Sequence, residues 1–178
     1  MDERKFTLLK EKLEKLRKLN LSFDDFLEDY VNVGVRFLPG VDITNSFHDL
    51  RIFENECVEE LRASYVLERL PLDLQETAIK EWKRVLSPGG KLFIYCPDGR
   101  LITKNYVDGL IDVVEFSKLL FGENTYAENL HRCVFDLPRL VKLCTFCGFQ
   151  FESEAKRPYG YEYELGIECK KLEIKYPY

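Results

Sequence analysis

His131, one of only two histidines in 178 residues, sits in the polar loop "GENTYAENLHRC" a few residues before a Phe-Asp pair. An imidazole titrates near neutral pH and suits a base at such a place. The other reading is a loop residue hydrogen-bonded to nearby backbone. Glu68, in "ASYVLERL", is a second candidate for proton transfer. Cys144 and Cys147 form one CxxC inside "LVKLCTFCGF", which invites a zinc or redox reading. Zinc needs about four ligands, and neither a second CxxC nor a paired histidine motif supplies them. The pair fits better as small hydrophobes on the buried face of a helix. The stretch "YVNVGVRFLPGVDIT", Tyr30 to Thr44, reads as a strand, a short crossing and a second strand ending on the acid Asp42. Many nucleotide-binding α/β folds begin this way, although the turn that is usually rich in glycine holds only Gly34, followed by Val35, Arg36 and Phe37.

The elements that would position these residues alternate. Leu9, Leu13 and Leu16 recur at helical spacing among Lys, Glu and Arg, predicting an amphipathic helix over residues 5–19. "SFDD" at Ser22 to Asp25 has the hydroxyl and acid of a capping box and predicts a second short helix running to Tyr30. Strands are expected at Tyr30–Val35, Val41–Thr44 and Val58–Ser64. Pro71 opens a helix with Leu74, Ala78, Trp82 and Val85 on one face, "SPGG" ends it, and "KLFIYCPD" comes next as a strand covered on both faces. Asn105–Phe121 is expected to be helical. Asp136 is the candidate N-cap of a further helix that Gly148 closes. Phe149–Ala155 and Glu164–Leu172 complete the pattern as an antiparallel pair at the sheet edge. Residues 1–29 are thus read as an N-terminal helical extension, and 30–178 as one α/β domain with a mostly parallel sheet, helices on both faces and an antiparallel edge strand.

Composition narrows the function classes. A net charge of -5 and a pI near 5.3 give no basic footprint for nucleic acid, and no apolar run is long enough to span a bilayer. The first residues lack the apolar stretch of a secretory signal, so the six cysteines are expected reduced, in a cytoplasm. A small-molecule substrate is expected, with a homodimer or a protein partner as a further expectation. The tyrosines of "RPYGYEYEL" and the final "KYPY" would form a partner surface or pack at the sheet edge.

The middle of the chain carries a resemblance. "ASYVLER" (Ala63 to Arg69), "EWKRVLSPGG" (Glu81 to Gly90), "YCPD" (Tyr95 to Asp98), "HRCVFD" (His131 to Asp136) and "CGF" (Cys147 to Phe149) resemble, in order, the motifs of class I S-adenosylmethionine-dependent methyltransferases. The likeness is to a small subgroup often found with sugar- and cell-envelope genes, with "ASHVLEH", "EWYRVLKPGG" and "VPD" at the first three places. It covers roughly residues 30–155 and implies a Rossmann-like methyltransferase fold.

By this resemblance Gly34 matches the first glycine of the family's "LNLGCG" loop, whose amides approach the methionine part of the cofactor, S-adenosylmethionine. Arg36 stands where a glycine is expected, and would either block the cofactor or pair with its carboxylate. Asp42 takes the place of the acid that accepts from both ribose hydroxyls, and Asp49 lies near the adenine. Ser64 and Tyr65 wall the sulfonium side. His131 and Glu68 are the bases for a hydroxyl acceptor. Tyr65 and Arg69 each replace a histidine of the common pattern. The implied function is methyl transfer to a small, sugar-linked acceptor; the alternative is a non-catalytic binding or scaffold protein that has lost the cofactor.

Overall fold

The computed structural model describes residues 3–123 and 129–172. The final "KYPY" and part of the loop before His131 lie outside them. Helix α1 (Glu3–Leu16) docks through Leu9 and Leu13 on the core of its own domain. It ends earlier than expected because Arg17 turns left-handed at φ +49°. The helical extension stops there. Lys18–Ser22 forms strand β1, paired parallel with both β2 (Val31–Gly34) and β4 (Val58–Ser64). The sheet therefore begins inside the stretch read as helical, and the short helix expected after Ser22 is replaced by a loop without regular structure. Ser22 still behaves as a cap, its hydroxyl accepting from the amides of Asp24 (3.4 Å) and Asp25 (3.0 Å).

After β3 (Ile43–Thr44) come helix α2 (Leu72–Val85) and strand β5 (Leu86–Pro97). Trp82, Ala78 and Ile79 of α2 are fully buried, and the Trp82 indole donates to the Phe47 carbonyl at 2.7 Å. "SPGG" does not separate helix from strand. It bulges out of β5, where the register with β4 jumps from Val58↔Leu86 to Glu60↔Lys91. Helices α3 (Gly99–Val107) and α4 (Val113–Phe121) split the single helix expected at Asn105–Phe121, with the break at Gly109, φ +72°. Helix α5 (Leu137–Phe146) starts on Asp136, whose carboxylate accepts from the Arg139 amide at 3.0 Å. It carries Cys144 into the core, and Cys147 is buried just after it. Both thiols are free, as small hydrophobes.

Strands β6 (Phe149–Glu154) and β7 (Glu164–Lys171) complete a seven-stranded sheet of order β3-β2-β1-β4-β5-β7-β6. Strand β7 alone runs antiparallel, next to the edge, and β6 is the edge itself. Strand order reverses between β1 and β4. Ligands of open α/β sheets bind at the carboxyl ends of strands beside such a reversal.

Candidate functional site

Ser22 and Ser64, paired across β1 and β4, mark that point. A cavity of about 310 Å³ opens beside it. Its wall includes Asp24 and Asp25 after β1, Ser64 at the end of β4, Tyr65 and Arg69 after it, Lys118 of α4, His131 and Tyr161.

A polar network ties down the loop after β1. The Asn20 amide donates to the Asp25 carbonyl (2.7 Å) and to Asn32 Oδ1 (2.9 Å), which also accepts from the Leu27 amide (3.0 Å). Arg62, buried in the middle of β4, donates to Asn20 Oδ1 (2.8 Å) and to the Asp25 carboxylate (2.5 Å). Arg157, from the β6–β7 connection, reaches the same Asp25 oxygen (2.5 Å) and the Ser64 hydroxyl (3.1 Å), and forms a bidentate pair with Glu164. Burial pushes the Asp25 carboxyl up, but the Arg62 hydrogen bond and the charges of Arg62 and Arg157 outweigh it and hold the group below its ordinary range. One buried and one largely buried guanidinium demand such partners, since an unpaired buried charge is costly. Sequence reasoning missed Arg62 and Arg157 and read Asp25 only as a helix cap. A charged residue among the apolar positions of "VEELRAS" was the available signal.

The structure also moves the register of the resemblance. The first strand of the sheet is "KLNLS", so "LNLGCG" falls on Leu19 to Asp24, with Ser22 and Asp24 in place of both glycines. Gly34 ends β2, the strand whose end would carry the ribose-binding acid in the moved register in place of Asp42. A Cβ added there would lie 2.9 Å from Val41 Cγ2, so the glycine serves close packing. Asp42 precedes β3 and is spent on the Asn32 amide (2.7 Å) and Lys12 (2.5 Å). Arg36 is exposed, and Asp49 forms a two-pronged pair with Arg51 that holds its carboxyl at about 2. None of Gly34, Arg36, Asp42 and Asp49 lines the cavity.

Ser64, Tyr65 and His131 do line it. Tyr65 takes φ +54°, which a non-glycine residue holds only when its surroundings compel it. Its ring packs edge-to-face on Tyr161 at 5.2 Å, and burial, then Glu164, raises its phenol. Burial and the nearby Arg69 charge lower the His131 imidazole, against hydrogen bonds to the Leu119 and Leu120 backbone. Glu68 lies behind the wall, 1% exposed, with neither carboxylate oxygen hydrogen-bonded.

No family model and no curated protein matches the chain. Solved structures do. A SAM-dependent methyltransferase from Methanosarcina mazei superposes at a TM-score of 0.56 and 18% identity, over 87% of this chain and 92% of that one. A possible histamine N-methyltransferase from Thermotoga maritima gives 0.56 at 16%, over 95% and 94%. The 1,6-didemethyltoxoflavin-N1-methyltransferase of Burkholderia thailandensis gives 0.55 at 13%, over 97% and 80%. With the strand order and the antiparallel β7, these define the fold as that of the class I S-adenosylmethionine-dependent methyltransferases. Within it, the side chains present do not fit the cofactor. The amides of Asp24, Asp25 and Leu27 already donate to Ser22 and Asn32, and β2 ends on glycine instead of an acid.

Proposed function

We propose that this chain is a non-catalytic binding protein on a methyltransferase fold, using the cavity at the ends of β1 and β4 without S-adenosylmethionine. The observation that carries the reading is the Ser22 hydroxyl, which takes the two loop amides that a glycine loop would turn toward a cofactor. A macromolecular partner, or a second copy of the chain, is part of the proposal. No residue of α4 is buried, and Val113, Val114 and Phe121 are exposed together with Val107 and Leu110 before it. Contiguous exposed apolar side chains of this kind mark interaction faces.

A second reading is methyl transfer from S-adenosylmethionine to a small, sugar-linked acceptor. It is favoured by one feature, the convergence of Ser64, Tyr65 and His131 on a single cavity. Calorimetric titration with S-adenosylmethionine and S-adenosylhomocysteine separates the two. The first reading expects no binding heat at millimolar ligand, and micromolar binding of either compound would overturn it in favour of the second.

A further inference from the structure

Arg69 ends the short turn Leu67–Arg69 after β4, and its side chain is only 10% exposed. Its guanidinium lies on the ring of Phe23, 4.4 Å from the centroid. The atoms Nε and Nη1 are buried with no hydrogen-bond partner among the described residues. The Glu68 carboxylate stands 3.9 Å from Nε, beyond hydrogen-bonding reach. A buried donor left unmade is costly, and because both atoms are shielded from solvent an acceptor meets them only when the guanidinium turns toward the cavity that Arg69 lines. Arg69 lines the cavity, and Lys118 and His131 line it too. The carboxylates around it do not supply the acceptor. Asp25 is held by Arg62 and Arg157, and Asp24 and Glu123 are solvent-exposed.

We propose that this cavity binds a small oxyanion, a carboxylate or phosphate group, on the guanidinium of Arg69, with Lys118 contributing the second positive charge. A guanidinium matches the planar geometry of both groups. Burial pushes the Glu68 carboxyl up to about 7, which weakens its pairing with Arg69 near neutral pH. The inference rests on the reading that this cavity, and not a cofactor site, is the working pocket.

Because the chain has only two histidines, the imidazole signals of His131 and His48 can be followed separately by NMR. Inorganic phosphate and benzoate, titrated in turn to tens of millimolar, tell the two forms of oxyanion apart. One of them should shift His131 and leave His48 in place, and raise the His131 pKa as negative charge offsets Arg69. Arg69→Gln should weaken the response about ten-fold or more, the worth of a charge-assisted hydrogen bond. Lys118→Ala, at an exposed position that folding does not need, should weaken it less. Glu68→Gln should preserve or tighten it. A His131 signal that neither anion moves, or that moves equally in Arg69→Gln and Lys118→Ala, would sink the anion site. The result stands apart from the cofactor titration, because an Arg69-dependent shift supports the site whatever S-adenosylmethionine does.

Discussion

Replacing Glu68 by glutamine should change the stability of this protein in a way that depends on pH. The carboxyl is 1% exposed and neither oxygen has a partner, so the folded chain accepts its neutral form far better than its charged one. Burial raises it from 4.5 to about 7, while the nearby Arg69 charge offsets only part of that rise. Below about 4.5 the group is protonated in folded and unfolded chains alike and carries no penalty. Between 4.5 and about 7 the unfolded chain ionises while the folded chain resists, so stability is lost as pH rises, and above that the loss is constant. That interval corresponds to about 3 kcal/mol at roughly 1.4 kcal/mol per pH unit. The glutamine amide, itself buried, adds a cost that does not vary with pH. The informative quantity is therefore the change in the gap between variant and wild type. In a chain of this length, about 3 kcal/mol corresponds to roughly 6–12 °C in Tm. Thermal unfolding followed by circular dichroism at pH 4.5, 6 and 8 should show the variant gaining on the wild type by that amount across the range. A gap that stays constant to within about 1 kcal/mol would refute the burial argument.

Two further outcomes test the network and the apolar face. Asp25→Ala removes an acceptor shared by two largely buried guanidiniums, and with Asp25 itself 38% exposed the loss should fall between surface and buried pairs, at about 2 kcal/mol. Because its folded carboxyl titrates below the ordinary 3.8, the stabilisation is present above that value and lost as pH falls through the lower one. Urea unfolding should therefore separate wild type from variant at pH 7 and show the gap shrinking as pH falls below 3.8, and a gap that does not shrink would remove the ion pairs as the cause. Leu110→Ser with Val114→Ser alters side chains that are mostly in solvent, so Tm should move by no more than about 2 °C. Sedimentation should show concentration-dependent association of the wild type that this variant loses, or an equally apolar face that captures a partner only in the unaltered chain. A monomeric wild type that binds nothing through this face would exclude it as an interface.

The elements with strong periodicity were legible. Helix α2 and strand β4 fall where apolar spacing and turn residues place them, and Asp136 caps α5 as its type suggests. Strand β1 was not legible, for a physical reason. Its buried positions include Asn20 and Ser22, which the core tolerates only because Asn32, Arg62 and Asp25 satisfy them from distant parts of the chain. A pattern search that equates burial with apolarity passes over such a strand and starts the sheet one strand too late. Every cofactor assignment made at Gly34, Arg36 and Asp42 inherited that slip. Ser64, Tyr65 and His131, placed from motifs beyond the slip, do reach the cavity. The break between α3 and α4 was hidden because "VDGLID" keeps enough apolar residues to continue a helical pattern, and only the left-handed Gly109 ends it.

The same network satisfies the loop after β1 from within the chain. A glycine loop built for a ligand leaves its amides pointing at the place the ligand will occupy, and depends on water or ligand to satisfy them. Here the loop supplies its own acceptors. Ser22 takes two amides, Asn32 takes a third, and the Asp25 carboxylate pairs with Arg62 and Arg157. Each substitution is consistent with the others, since an acid at position 25 would be costly without Arg62, and Arg62 would be costly in the middle of a buried strand without that acid and Asn20. Returning glycines to positions 22 and 24 would remove the Ser22 cap and leave Asp25 paired with its two arginines. An acid at position 34 would still have to displace Val41. The departures from the methyltransferase pattern thus form one interlocked arrangement, in which each polar group after β1 depends on a partner from another strand.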